Sequence, residues 1–377
     1  MRLASVATIV LAVAVGGVVA ATATAHAYPQ FQLSTGTDRC ITCHYSPAGG
    51  GLINDYGRDE AGSTISRGGD GRFLHGAWTP PTWLQLGLDL RGAALLKARE
   101  PQTEVVAFPM QTELYLRAGG ERFSVNVTAG LRGGARDPQP PLVERVVSRE
   151  HYVMYARESG TYVRAGRFFP IFGIRSQDHT AAVRRYLGFH TLEEPYGAAA
   201  GTFGDTWEAH VSAFVPRPVE ILGAGVKASG AAAYYERRFL DDTAALGAQA
   251  RVAVSPTDAR VTAGLVGKRY LTDAGLMVLA EVDLQRQAFR DASGPTRYQL
   301  ASYLAASRFV ARGVMVGAAL HHWQPDLRLR SSRDAFELNI QYFPRAHFEL
   351  HLLTRVGGEG DFDDPGLLAL LQLHYYL

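Results

Sequence analysis

The chain has 377 residues, 47% of them hydrophobic and 20% charged, with a formal net charge of +2 and a mean hydropathy of −0.06. A balance this close to neutral gives no electrostatic case for nucleic acid or another polyanion as a partner. Past residue 27 no apolar run is long enough for a transmembrane helix, but 40 Gly, 17 Tyr and 17 Phe suit a membrane β-barrel, whose alternating strands escape hydropathy.

Residues 1–27 read as a cleaved signal peptide: Arg2, an apolar stretch from Ile9 to Val19, then Ala25-His26-Ala27 as a small-residue cleavage site. The alternative is an uncleaved membrane anchor. Export would carry the chain into an oxidising compartment.

Residues 28–80 form the next unit. It contains Cys40-Ile41-Thr42-Cys43-His44, which holds the only two cysteines of the chain. C-x-x-C followed at once by His is the spacing for covalent attachment of a c-type haem. Cys40 and Cys43 would form the thioethers, and His44 would be the proximal iron ligand. A thioredoxin-like pair would sit in a βαβ context, and zinc would want two more ligands at motif spacing; neither appears nearby. The motif therefore predicts one covalent haem c. No Met lies between Cys43 and Trp78, so the unit offers no Met as second axial ligand. His75 is its only other His and the first candidate; His347, His351 and His374 of the later chain are the alternatives, and an open iron is the third possibility. A short helix is expected around Ile53–Ser66, and Pro80-Pro81 marks the boundary. A unit of about fifty residues is too small to bury a strong core alone; a bound macrocycle would supply apolar surface.

From residue 81 to 377 the dominant signal has period two. Leu84, Leu86, Leu88 and Leu90 alternate with Gln85, Gly87 and Asp89; Phe123 to Leu131, Phe336 to Tyr342 and Phe348 to Leu352 follow the same rule. These runs predict an all-β fold, a transmembrane antiparallel β-barrel of roughly 16 strands with the small haem-binding segment ahead of it. The connections sort into two classes. Tight ones are expected at 118–121, 158–161, 203–205, 240–242, 272–275, 310–313 and 343–346; long ones at 133–145, 169–195, 216–229, 325–333 and 357–365. Short periplasmic turns and long outer loops mark outer-membrane barrels, so the haem segment would enter from the periplasmic side. Segment 169–195 is the candidate constriction or lid: 179–187 is expected to make two helical turns carrying Arg184-Arg185, against the alternative of a solvated outer loop. Tyr115, Tyr342 and Tyr375 are expected in an aromatic girdle, and His210 on a lumen-lining face beside Glu208 and Ser212.

The stretch Arg39–Arg58, with Pro47, Gly49–Gly51, Asn54, Tyr56, Gly57 and Arg58 after the C-x-x-C-H, resembles the start of a group of bacterial outer-membrane proteins that carry one c-type haem motif ahead of a porin-like barrel. Gly166–Gly173 resembles a segment of porins of the phosphate-selective type, without implying phosphate selectivity. The resemblance implies an electron-handling or porin-like role in the bacterial outer membrane, with no enzymatic reaction assigned. Two functions follow: monohaem electron transfer at or through the barrel, with a periplasmic cytochrome or other redox partner, and a passive diffusion porin in which the haem segment is a plug or redox gate. The sequence names no solute, redox potential or oligomeric state.

Overall fold

The computed structural model describes residues 29–33, 39–132, 141–176, 178–190, 193–216, 228–290, 294–359 and 363–377; the expected signal peptide lies outside them. The strands are β1 (Leu84–Arg99), β2 (Gln102–Gly119), β3 (Phe123–Arg132), β4 (Val146–Ala156), β5 (Thr161–Arg167), β6 (Tyr196–Phe203), β7 (Trp207–Val215) and β8 (Ser229–Phe239). They continue with β9 (Ala244–Val254), β10 (Asp258–Leu271), β11 (Leu276–Phe289), β12 (Arg297–Ala311), β13 (Val314–Gln324), β14 (Arg333–Tyr342), β15 (Phe348–Glu359) and β16 (Asp363–Tyr376). Each pairs antiparallel with its chain neighbour, and β1 pairs with β16 from Asp89↔Tyr376 to Ala98↔Leu367. The sheet is a closed 16-strand barrel with no free edge.

The barrel is polar within and apolar outside, the inverse of a water-soluble protein. Along β2, Glu113 and Arg117 are buried while Leu114 is 64% exposed; along β10, Lys268 is buried while Leu265 is 54% exposed. Alternation with a period of two puts one set of side chains on each face, and an apolar outer face finds its solvent in lipid. Several inward charges are paired: Lys268 with Glu236 at 2.8 Å, Arg149 with Glu113 at 2.9 Å and Glu194 at 2.8 Å. The outward aromatics Trp83, Phe123, Tyr155, Trp207 and Tyr235 lie at short-turn ends of strands, as does Tyr375, which packs on Phe348 at 4.8 Å. Tyr115 departs from its expected place. It is buried and faces inward, its hydroxyl 2.8 Å from Glu113, because it shares the parity of Glu113 and Arg117 on β2.

All seven tight connections occur at one end of the barrel. The opposite end carries the long loops, with three exceptions: Glu100-Pro101 joins β1 to β2, residues 255–257 join β9 to β10, and only residues 360–362 separate β15 from β16, so the long connection expected over 357–365 is shortened by strand pairing up to Glu359↔Asp363. Of the expected long loops, 133–140, 217–227 and 360–362 lie outside the described residues.

Two segments fill the lumen. The first is residues 29–80, which enters from the short-turn end. Phe31 and Ile65 pack with Phe309, Met315 and Phe343 of the wall. Arg39 donates to the carbonyl oxygens of Gly204 and Asp205, Arg312 to those of Ser66 and Ser63, and Arg58 to that of Leu86. The second is the β5–β6 connection, which folds inward instead of forming a solvated outer loop. Its Phe168, Ile171, Ile174 and Leu187 are buried in one cluster with Tyr152, Tyr234 and Met277 of the wall, joined by Leu33 and Ala48 of the first segment. Only one wide helical turn, Val183–Leu187, forms where two were expected; Gly188 ends it, and the half-buried Arg184 turns its guanidinium to the Ser176 carbonyl and over the Phe169 ring at 5.0 Å.

Candidate haem-attachment site

The C-x-x-C-H motif is one helical turn, α1 (Cys40–Cys43), closed by the His44 amide donating to the Cys40 carbonyl at 3.0 Å. A second short helix, α2 (Asp55–Glu60), holds α1 in place. Asn54 joins the two. Its Oδ1 accepts from the Gly57 amide at 2.9 Å, capping α2, while its Nδ2 donates to the carbonyls of Ile41 at 3.2 Å and Thr42 at 3.0 Å. Side-chain acceptors of this kind satisfy amide donors that a helix start leaves open. The His44–Ile53 bridge and the Asn54 amide on the Cys43 carbonyl (2.9 Å) complete the tie.

The glycines that follow the motif have a steric role here. A Cβ on Gly49, whose φ is +71°, would lie 3.1 Å from Cys40 Sγ, and one on Gly57 would lie 2.4 Å from the Cys43 carbonyl oxygen. The Pro-x-Gly-Gly-Gly and Asn-x-Tyr-Gly-Arg elements therefore wrap the two thiols closely. Arg58 reaches across to β1 and also covers the Phe73 ring at 5.2 Å.

Both cysteines are free. Cys43 is buried, and that burial, with the Glu60 carboxylate nearby, pushes its thiol up to about 12. Burial also raises Cys40, against the pull of Arg175 and Lys268. Both are held as protonated, unreactive thiols. Among the described residues, no carboxylate or imidazole converges with the two sulfurs into a metal-binding group, so the zinc alternative lacks a ligand set. Two free thiols and an adjacent buried imidazole on one turn, clasped by glycines, are the donor set that thioether attachment and axial ligation require, and the residues fit haem c on that ground.

Around Cys40 the wall and the inner loop supply charge. Arg175, at φ +62°, sends Nη1 to the Pro47 carbonyl at 3.3 Å and Nη2 to Glu208 at 3.6 Å, with its guanidinium 5.5 Å from the Tyr234 ring. The segment from the short-turn end and the loop from the long-loop end thus meet at Pro47 and Arg175. His210, on the lumen face as expected, lies 3.6 Å from Glu208 and 3.1 Å from the Tyr162 hydroxyl. Sequence reading missed Arg175, Glu236 and Lys268, because their approach to Cys40 is set by barrel closure and not by spacing. Asn54 had a local signal, an Asn directly ahead of an acidic first turn.

The other predicted iron ligands gather elsewhere. His75 is exposed at the rim, its ring 4.9 Å from His347 and its Nε2 3.5 Å from the Tyr375 hydroxyl. His347 lies in the β14–β15 turn, one residue before β15; it is buried and donates from Nε2 to the Arg72 carbonyl at 3.1 Å. His374 is fixed between Glu349 (2.8 Å) and Asp89 (2.9 Å). His351 faces the lumen from β15 with Nε2 buried and without a partner among the described residues. The structure brings His75, His347 and Tyr375 together at the ends of β15 and β16.

No protein-family model and no curated protein matches the chain. Solved structures do. They include OmpT of Vibrio cholerae in its trimer form (TM-score 0.57, 10% identity, 78% of this chain and 99% of that one) and an anion-selective porin from Comamonas acidovorans (0.57, 10%, 78% and 99%). The outer membrane channel DcaP of Acinetobacter baumannii is similar as well (0.55, 12%, 78% and 97%). At these identities the likeness is one of fold: the chain has the 16-strand barrel of outer-membrane porins.

Proposed function

We propose that the chain is an outer-membrane protein of porin architecture that carries one covalent haem c inside its barrel and handles electrons from there. It would be exported through residues 1–27 and anchored by its apolar outer face. The observation that carries the reading is the C-x-x-C-H turn itself, seated in the lumen beneath Arg175 with both thiols free and clasped by Gly49 and Gly57. Bound there, haem supplies a one-electron couple. The residues do the rest. Cys40 and Cys43 anchor, His44 ligates, Asn54 fixes the turn, and Arg175, Lys268, Glu208 and Glu236 set the field around it. Because the haem segment enters from the short-turn end, a periplasmic cytochrome or other redox protein is the partner on that side.

A second reading has support of its own. The porin fold, and the neighbours described as a channel and as an anion-selective porin, favour passive diffusion with residues 29–80 as plug or gate. The test is to express the chain with a c-type haem maturation system, purify it in detergent, and record haem stain, spectrum and planar-bilayer conductance together. Haem that survives denaturing electrophoresis, with small currents, supports the electron-handling reading. A colourless protein refutes haem attachment. Large open-channel steps that do not change on dithionite reduction favour the diffusion pore. A low-spin spectrum would place a second ligand on iron, and loss of it in the His75, His347, His351 or His374 variants would say which.

A further inference from the structure

Where the inner loop meets β13, β14 and β15, the side chains of Asp178, His321, Glu337 and Arg355 converge. We propose that Asp178, His321 and Glu337 form a binding site for one divalent first-row metal cation, with Arg355 as the protein's own competing cation. The inference needs only the barrel and its inner loop, and stands whether or not haem is attached.

The three side chains offer a carboxylate oxygen, an imidazole nitrogen and a second carboxylate oxygen, all within 4.8 Å of one another. They come from three places in the chain. Asp178 is on the loop, His321 on β13 and Glu337 on β14, diagonal to each other across a pair whose register sets Ala319 opposite Glu337 and His321 opposite Ala335. His321 Nε2 is 3.2 Å from Glu337 Oε2, and its ring is steadied against Tyr303 at 5.1 Å. Asp178 is fixed through Oδ1, which accepts from the Thr180 amide at 2.9 Å and from its hydroxyl at 2.6 Å; Oδ2 is left to face a cation. An imidazole with two carboxylates suits manganese, cobalt or zinc better than magnesium or calcium, which favour all-oxygen sets.

Arg355 now fills that role. It pairs with both Asp178 and Glu337 and donates to the Thr180 hydroxyl at 2.7 Å. A second observation points beyond a simple ion pair. The buried Nε2 of His351, on the same face of β15 as Arg355, has no partner among the described residues, and its ring feels the charge of Glu349 first and then of Glu337 and Asp178. A metal ion there would bridge the inner loop to the wall in place of the guanidinium, pinning the constriction.

The experiment is a titration of the chelator-stripped full chain in detergent micelles with Mn²⁺, read as loss of the free-ion electron paramagnetic resonance signal. One Mn²⁺ per chain is expected. His321→Ala and Glu337→Gln should each weaken binding by about tenfold or more, and Arg355→Met should tighten it. The gain in the last variant cannot come from misfolding, which would only lose the site. Absence of bound Mn²⁺ in both wild type and Arg355→Met, or binding that is unchanged in the His321→Ala/Glu337→Gln double variant, overturns the proposal.

Discussion

Replacing Asn54 by Ala removes three hydrogen bonds from the turn that carries both cysteines. Loss of the cap on α2 costs about 1 kcal/mol. The Nδ2 donations to Ile41 and Thr42 contribute about 1 kcal/mol each, so the turn is weakened by about 3 kcal/mol, or roughly 10²-fold in its opening equilibrium. The reporter is built in. Cys43 is 1% exposed, and its thiol is pushed up to about 12, so an alkylating reagent reaches it only when the turn opens. In haem-free protein, the rate of Cys43 labelling, followed by peptide mass, should rise about 10²-fold in Asn54→Ala when labelling is limited by the open population. Asn54→Asp separates the contributions. It keeps the acceptor for the Gly57 amide, loses both donors, and should open roughly 30-fold more often than wild type. If Asn54→Ala labelled at the wild-type rate, the claim that Asn54 ties α1 to α2 would be wrong. If Asn54→Asp alone did so, the cap would carry the whole effect.

Three further outcomes follow from the same geometry. Leu265→Arg places a charge on the outer face of β10, 54% exposed to what would be lipid, and should cost roughly 2–4 kcal/mol near the bilayer midplane; urea unfolding in vesicles measures it, and an unchanged midpoint would mean that this face does not meet lipid. Gly71→Ala should keep the segment from seating, since its Cβ would fall 1.4 Å from the Arg58 carbonyl oxygen; trypsin should then cut within 39–80 while the barrel stays intact, and wild-type resistance would contradict the packing. Burial lowers His347 to about 4 from an ordinary 6.5, so the released state takes up the proton first. The contact of His347 with Arg72 is therefore at full strength above pH 6.5 and weakens as pH falls toward 4, by roughly 3 kcal/mol in total. Protease resistance of the segment should drop between pH 7 and 4.5 in wild type and stay flat in His347→Gln; equal curves would remove His347 as the cause.

The barrel was legible because lipid and lumen impose opposite demands on alternate residues. Leu84 to Leu90 and Phe123 to Leu131 state that demand without help from tertiary structure, and the tight turns at 118–121 and 343–346 fall where it lapses. The inward fold of the β5–β6 connection was harder to read. Its apolar residues Phe168, Ile171, Phe172 and Ile174 follow no strand period, and length alone matches a surface loop as well as a constriction. Tyr115 was misplaced because position near a turn does not fix which face a residue occupies; parity with Glu113 does. The environment of Cys40 could not be read at all, since Glu208, Glu236, Lys268 and Arg175 converge only after β7, β8 and β10 curve round to the inner loop.

The wall supplies apolar surface that residues 28–80 lack on their own: Phe31 and Ile65 pack on Phe309, Met315 and Phe343, and Leu33 and Ala48 join the cluster of Tyr152 and Tyr234. A segment whose core belongs to the barrel cannot reach this conformation before the barrel closes. Once it has, Cys43 is sealed beneath Gly57 and Glu60. Thioether formation needs accessible thiols, so the haem attachment proposed above would have to precede docking, on the undocked segment. Haem-free protein that has already assembled in membranes should therefore resist later attachment, while the same chain held unfolded should accept it. Equal attachment to both would mean that the segment leaves the lumen readily, and that its grip on Arg312, Phe343 and Arg175 is far weaker than these contacts imply.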